Sequence, residues 1–209
     1  MSSKGTQFKT ALLHPRHWPI WLAFGLWRVV TALPYPLLLL LGKGLGLLIH
    51  RFPSRRKTIA KRNIELCFPE QSSDQNKAML RANFINMGIA VMEVGIAWWW
   101  SKKRFAKLLQ FEGLENLSEM KDRGVMLLGI HYTTLEIGTA GISSVFPMDG
   151  MYRAHGNPVY DFLQARGRLN QGLGDGMVFE RRDVRGTMKA LKNGRSLWYG
   201  PDQDYGLGQ

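Results

Sequence analysis

The pattern of apolar and polar positions changes character along the chain. Residues 19–49, PIWLAFGLWRVVTALPYPLLLLLGKGLGLLI, hold only two charged side chains, Arg28 and Lys43. The longest uncharged run, Val29–Gly42, has 14 residues and contains Pro34 and Pro36, whereas a helix that crosses a bilayer needs about 20 mostly apolar residues. The stretch reads as an N-terminal membrane segment, spanning or deeply embedded. Its prolines kink or divide it, and Arg28 can reach the headgroups from one end. A buried hairpin of a soluble protein is the alternative. A cleaved signal peptide does not fit, because the apolar region starts late, runs long and lacks a small-residue cleavage site.

Residues 51–62, RFPSRRKTIAKR, follow at once, with six basic residues in twelve (Arg51, Arg55, Arg56, Lys57, Lys61, Arg62) and no acidic one. Beside an apolar segment this is a polybasic collar of the cytoplasmic membrane face, each charge being worth about 1 kcal/mol near an anionic leaflet. Residues 72–100 predict a long helix. Ser73 or Asp74 caps its start, Met79, Ala82, Ile85 or Asn86, and Ile89 recur at helical spacing, and the rest is apolar nearly all round. Trp98, Trp99 and Trp100 close it ahead of SKKR. Three indoles beside a basic cluster suit a membrane–water interface and equally the packed end of a core helix. Glu93, inside the apolar stretch, is either paired in the interior or lining a cleft.

From residue 111 short apolar runs alternate with amphipathic stretches. GVMLLGI (124–130) reads as a strand buried on both faces, and TLEIGTAGISSVF (134–146) as a helix or broken helix. MDGMYR (148–153) reads as a strand. NPVYDFLQARGRL (157–169) is an amphipathic helix with Asn157 as cap and Pro158 at its first position. GMVFE (176–180) is a strand, DVRGTMKALKNG (183–194) a helix ended by Gly194, and SLWYG (196–200) a strand. The fold class is therefore α/β: a membrane-embedded helical segment (1–50), a basic helical connecting region (51–110), then a mainly parallel sheet flanked by helices (111–209).

The 209 residues allow one domain of ordinary size plus an appendage, and a hydrophobic content of 45% is enough for a packed core. The formal net charge of +12 asks for an anionic partner. No zinc-finger, RNA-recognition or helix-turn-helix signature accompanies the basic run, so membrane rather than nucleic acid is expected. Cys67 is the only cysteine, which excludes an internal disulfide and a cysteine-based metal site. Its apolar neighbours mark it as a small buried residue.

The candidate chemistry lies in GVMLLGIHYTTLEIG (124–138), where an apolar run stops at His131 and Glu136 follows five residues later. In an α/β sheet, chemistry gathers beyond the carboxyl ends of strands. Thr133 and Glu136 also fit the S/T-x-x-E capping box. Against that, side chains in a first helical turn lean back toward the N-terminus. Glu136 would then face His131, accept one ring N–H and leave the other nitrogen as a base. Cap and catalytic partner both stand at this point. Ser143 and Ser144 lack a G-x-S-x-G elbow, and neither H-E-x-x-H nor a phosphate-binding G-x-x-x-x-G-K-[ST] loop is present. A histidine–carboxylate pair without a protein nucleophile points to direct base activation of a substrate hydroxyl.

Several motifs, taken in order, carry a resemblance: TALLHPRHW (10–18), LPYPL (33–37), RNIELCFPE (62–70), GIHYTTLEIG (129–138), YRAHGNPVYDFLQARGRL (152–169), KALKNG (189–194) and WYGPDQDYG (198–206). The chain resembles the late acyltransferases of bacterial lipid A biosynthesis, particularly the lauroyltransferase branch, which are His-x4-Asp/Glu acyltransferases with a glycerolipid-acyltransferase-like core. The resemblance implies an inner-membrane enzyme facing the cytoplasm. It would transfer an acyl group, lauroyl in the first instance, from acyl carrier protein to a hydroxyacyl chain of a Kdo-bearing lipid A precursor. His131 and Glu136 would be catalytic. Arg153 and Arg168 match the family's arginines and would hold acceptor phosphate or the oxyanion. Asp202 and Asp204 match the terminal motif, and Asp202 is placed with the substrate-binding residues.

No metal or organic cofactor is expected, because the thioester supplies the driving force. A basic surface beside a membrane segment would serve both an acidic carrier protein and an anionic acceptor. Family members continue beyond the P-D-Q-D-Y-G element, so a chain that stops three residues after it is expected to be shortened at its C-terminal end. Two alternatives follow: a non-catalytic membrane-associated scaffold, and a membrane lipid hydrolase that uses the same pair on water.

Overall fold

The computed structural model describes residues 7–120, 123–174 and 176–202; Asp204 lies outside them. The first half is helical: α1 (Trp18–Thr31), α2 (Tyr35–Arg51), α3 (Arg55–Cys67) and α4 (Ser73–Trp99), followed by the short α5 (Lys102–Ala106) and α6 (Leu114–Ser118). The apolar stretch 19–49 is divided at its prolines. Pro34 forces the residue before it away from helical geometry and becomes the N-cap of α2, with Pro36 in the first turn. The resulting helices have 14 and 17 residues, each shorter than the about 20 a perpendicular span requires. α2 and α3 meet at a 93° bend. Among the described helices, α4 with its 27 residues is long and apolar enough to cross a membrane by length and composition, and 39% of its most apolar stretch is buried inside the protein.

α4 is the axis of the packing. It starts one residue earlier than its sequence pattern indicates, because Ser72 and Gln75 form the capping box: Ser72 Oγ accepts from the Gln75 N–H, and Gln75 Oε1 from the Ser72 N–H. Gly42 and Gly46 stand four apart on one face of α2, where they meet Gly88 of α4. A Cβ on Gly88 would overlap the backbone of both, so the helices cross at backbone contact. The core beside this crossing includes Phe24, Leu38, Ile96, Trp98 and Phe105.

Of the three tryptophans, Trp98 and Trp100 are buried and belong to core packing. Trp98 stacks on Phe24 with ring centroids 6.5 Å apart. The Trp100 indole N–H donates to Thr31 O at 2.6 Å, and the Arg104 guanidinium lies 3.5 Å over its ring. Glu93 is buried in the same interior, with the Tyr35 hydroxyl 3.5 Å from Oε1. Cys67 is not buried as its neighbours led one to expect. It ends α3, a helix with no buried residue, and is exposed.

The second half alternates as the pattern requires: β1 (Met126–Leu128), α7 (Leu135–Ser143), β2 (Asp149–Tyr152), α8 (Pro158–Leu169), β3 (Val178–Glu180), α9 (Val184–Lys192) and β4 (Leu197–Tyr199). Every strand pair is parallel, in the order β1-β4-β2-β3. Asn157 caps α8 by accepting from Val159 and Tyr160 N–H, and Gly194, at φ +78°, follows α9 in the left-handed region. β1 corrects one expectation. It is an edge strand rather than one buried on both faces, and its Met126 and Leu128 are exposed. An unbroken apolar run marks a strand but does not fix its place in the sheet. At the amino ends of the strands, buried Asp149 takes the Arg195 Nε–H at 2.6 Å and the Met177 N–H at 2.8 Å. This pairing ties the α9–β4 link to β2 and to the start of β3.

Candidate active site

β1 and β4 are adjacent and parallel, with Leu128 opposite Tyr199. Each strand is followed by a glycine, one further residue, and then a chemically competent side chain: Leu128-Gly129-Ile130-His131 and Tyr199-Gly200-Pro201-Asp202. Equal offsets from registered positions bring His131 and Asp202 together. The His131 backbone N–H donates to Asp202 Oδ2 at 2.7 Å, and the ring Nδ1 lies 2.7 Å from Oδ1. An ionised carboxylate only accepts, so Nδ1 carries the proton and Nε2 is the free basic nitrogen. Donation first from the His131 backbone and then from its ring holds the Asp202 carboxyl below its ordinary value of 3.8. Gly200 is required here by close approach. A Cβ would stand 2.8 Å from His131 Cε1 and 2.7 Å from the Trp198 ring, which packs edge-on against the imidazole with centroids 5.7 Å apart.

Glu136 sits in the first turn of α7 but does not cap it. The N-cap is Thr134, without a side-chain cap bond, so the box with Thr133 is not formed. Nor does Glu136 bond to His131. Its Oε1 accepts from Arg168 Nε at 2.8 Å and from Arg168 Nη2, and its Oε2 from the Trp98 indole N–H at 3.1 Å. A first-turn side chain does lean back, as expected, but here it meets α4 and the end of α8. A guanidinium fork is a stronger partner for a half-buried carboxylate than one imidazole N–H. Trp98 can lie there because residue 167 is glycine: a Cβ would overlap the indole. Burial, and then the Glu136 charge, push the nearby Tyr160 phenol up.

His131, Glu136, Arg153 and Arg168 all border one cavity of about 500 Å³. Arg153 follows β2 and forms no ion pair among the described residues. The cavity continues along the sheet beneath α7 and α8 to Ala140, Met148 and Met177. Ser143 borders it too, but its hydroxyl is engaged by Ala140 O at 3.0 Å, and that of Ser144 by Gly141 O at 2.7 Å. The sequence marks Asp202 but not its partner, and does not place Trp98 in the site. The repeated strand-Gly-x-(His/Asp) pattern was the available signal.

A histidine oriented by a carboxylate, above a mostly apolar cavity rimmed by arginines at the carboxyl ends of a parallel sheet, defines an α/β site. It is able to activate a hydroxyl or water against a substrate with apolar and anionic parts. The chain belongs to the bacterial lipid A biosynthesis acyltransferase family, whose model matches residues 5–209. It is 44% identical over 202 residues, 96% of its length, to the lipid A biosynthesis lauroyltransferase of Escherichia coli (strain K12), and spans 65% of that relative. It is 40% identical to a lipid A biosynthesis acyltransferase of Haemophilus influenzae, covering 98% of this chain and 66% of the relative. With the E. coli lipid A biosynthesis palmitoleoyltransferase it shares 39% identity over 96% of this chain and 65% of that protein. The chain thus spans just under two thirds of the length of these relatives.

Proposed function

We propose that the protein transfers a fatty acyl group, lauroyl in the first instance, from acyl carrier protein to a hydroxyacyl chain of a Kdo-bearing lipid A precursor. The names of the relatives support the reaction class. The observation that carries the reading is the doubly bonded His131–Asp202 pair at the mouth of the cavity. His131 Nε2 takes the proton of the acceptor hydroxyl. The alkoxide oxygen then bonds to the thioester carbonyl carbon, and the C–S bond breaks. The imidazolium returns its proton to the departing thiolate. Asp202 fixes the tautomer and stabilises the imidazolium, a role different from the substrate binding first assigned to it. General-base help of this kind is worth about 10²–10⁴ in rate. Glu136 acts alongside by holding Arg168 in the cavity wall. Arg153 takes acceptor phosphate or the developing oxyanion.

The reading extends to the membrane. Leu22, Leu26 and Val29 lie on one exposed face of α1, and Leu37, Leu40 and Leu48 are exposed on α2. The basic residues of α3 stand next in the chain. Residues 1–50 would serve as the anchor, 51–110 as the connecting region and 111–209 as the acyltransferase core, held at the cytoplasmic face of the inner membrane.

Purified protein incubated with loaded acyl carrier protein, with and without the Kdo-bearing acceptor, tests the reading by product mass. An acyl ester on the acceptor is expected. Free fatty acid released whether or not acceptor is present would make the protein a hydrolase, and no turnover would make it a scaffold.

A further inference from the structure

Gly150 is the second residue of the four-residue strand β2, flanked in register by Val178 of β3 and Trp198 of β4. Glycine weakens a strand interior, and where it persists there it marks a bulge, a bend or a close approach by a ligand or another backbone. Its φ is not positive, so conformational need does not account for it. Among the described residues, no protein group approaches it either. A Cβ at Gly150 has no heavy atom within 4 Å, and Gly150 borders the cavity. It shares a strand face with Tyr152, which packs against Ala165 of α8, so the empty side-chain position opens beneath α8. Ala140, Met148, Leu169 and Met177 line the same cavity, together with the polar Thr139, Ser143 and Gln164. Arg153 at the mouth lies three residues further on, just past the end of β2, about 10 Å away at about 3.3 Å per residue.

We propose that the absent side chain at Gly150 keeps open the bed for the hydrocarbon chain of the acyl donor, and that Gly150 together with Met177 sets the chain length accepted. This rests on the acyl-transfer reading above. A thioester carbonyl at His131 directs its chain inward along β2, away from the arginines and toward the methionines. A bulkier residue at 150 would shorten that path.

The test is a profile of kcat/KM against donor chain length, using the full-length protein, carrier-linked donors and one acceptor. Gly150→Val, whose β-branched side chain suits a strand, is expected to lower kcat/KM for the longest chain the wild type accepts by at least about tenfold. Shorter chains should be spared, since one methylene in an apolar pocket is worth about 10–200-fold in discrimination. Gly150→Ala should fall between the two. Gly138→Ala, at an exposed position with no described residue within 4 Å of the added Cβ, should leave the profile unchanged. If Gly150→Val does not fold, Met177→Ala supplies the opposite arm, an extension toward longer chains. Equal loss at every donor length, or a shift in preference for acceptor rather than donor chains, would overturn the inference while the wild type still transfers. A wild type that transfers nothing would overturn the acyl-transfer reading and this inference together.

Discussion

His131 and Asp202 are joined by two hydrogen bonds of 2.7 Å, one from the backbone N–H and one at the ring. Their strands are parallel neighbours with Leu128 opposite Tyr199, so the contact is a product of register. The carboxylate is held by the same residue whose imidazole it orients, which leaves neither group free to turn away without the other.

This pairing has a pH signature. The Asp202 carboxyl is depressed below 3.8 by the His131 N–H groups. A group with a lowered folded-state pKa contributes stability that is present above its unfolded value and lost as pH falls through its folded value. The contact is therefore expected to persist through neutral and mildly acidic pH and to open only below 3.8. NMR titration of the Asp202 carboxyl carbon checks this, and a midpoint above 3.8 would contradict it.

Arg168 and Glu136 make a second, separate unit. Their side chains are 25% and 16% exposed, between the surface and fully buried cases, so Arg168→Ala is expected to destabilise the fold by about 1–3 kcal/mol. Most of that loss comes from leaving the carboxylate with Trp98 as its only partner among the described residues. Glu136→Gln on the Arg168→Ala background should recover part of it. Denaturant unfolding of the two single variants and the double variant measures the coupling, and simple additivity would mean that the pair contributes nothing to stability.

The α2–α4 crossing depends on Gly88. Any side chain there meets the backbone of Gly42 and Gly46 and must push the helices apart. Overpacking of this kind costs about 1–3 kcal/mol or more, and small residues at such crossings let backbones approach. Gly88→Ala should lower the thermal midpoint or the yield of folded protein. Gly25→Ala, with no described residue within 4 Å of the added Cβ, should be tolerated. Equal behaviour of the two would refute the close crossing.

The alternation of strands and helices after residue 111 was legible because each element signals itself locally: Asn157-Pro158 opens α8, and Gly194 follows α9. Strand order has no local signal. That is why β1 was expected to be buried yet lies at an edge, and why His131 was matched with the carboxylate five residues away instead of the one seventy-one residues away. Glu136 bore two local readings, cap and histidine partner. Neither foresaw Arg168, because the meeting of α7 with α8 is a tertiary event. Trp98 was ambiguous for the same reason: an indole beside basic residues fits an interface or a core, and Phe24, brought by α1, decides for the core.

The most direct test of a His131 base oriented by Asp202 is a double-mutant cycle on the acyl-transfer rate, with melting curves beside it. His131→Ala and Asp202→Asn are each expected to lower kcat/KM by at least about 10²-fold without loss of folding, and the double variant to lose little more, because the two act as one unit. Glu136→Gln combined with His131→Ala should instead show losses that multiply, since Glu136 works through Arg168. Normal transfer by folded Asp202→Asn, together with strong coupling between His131 and Glu136, would contradict the assignment and return Glu136 to the histidine.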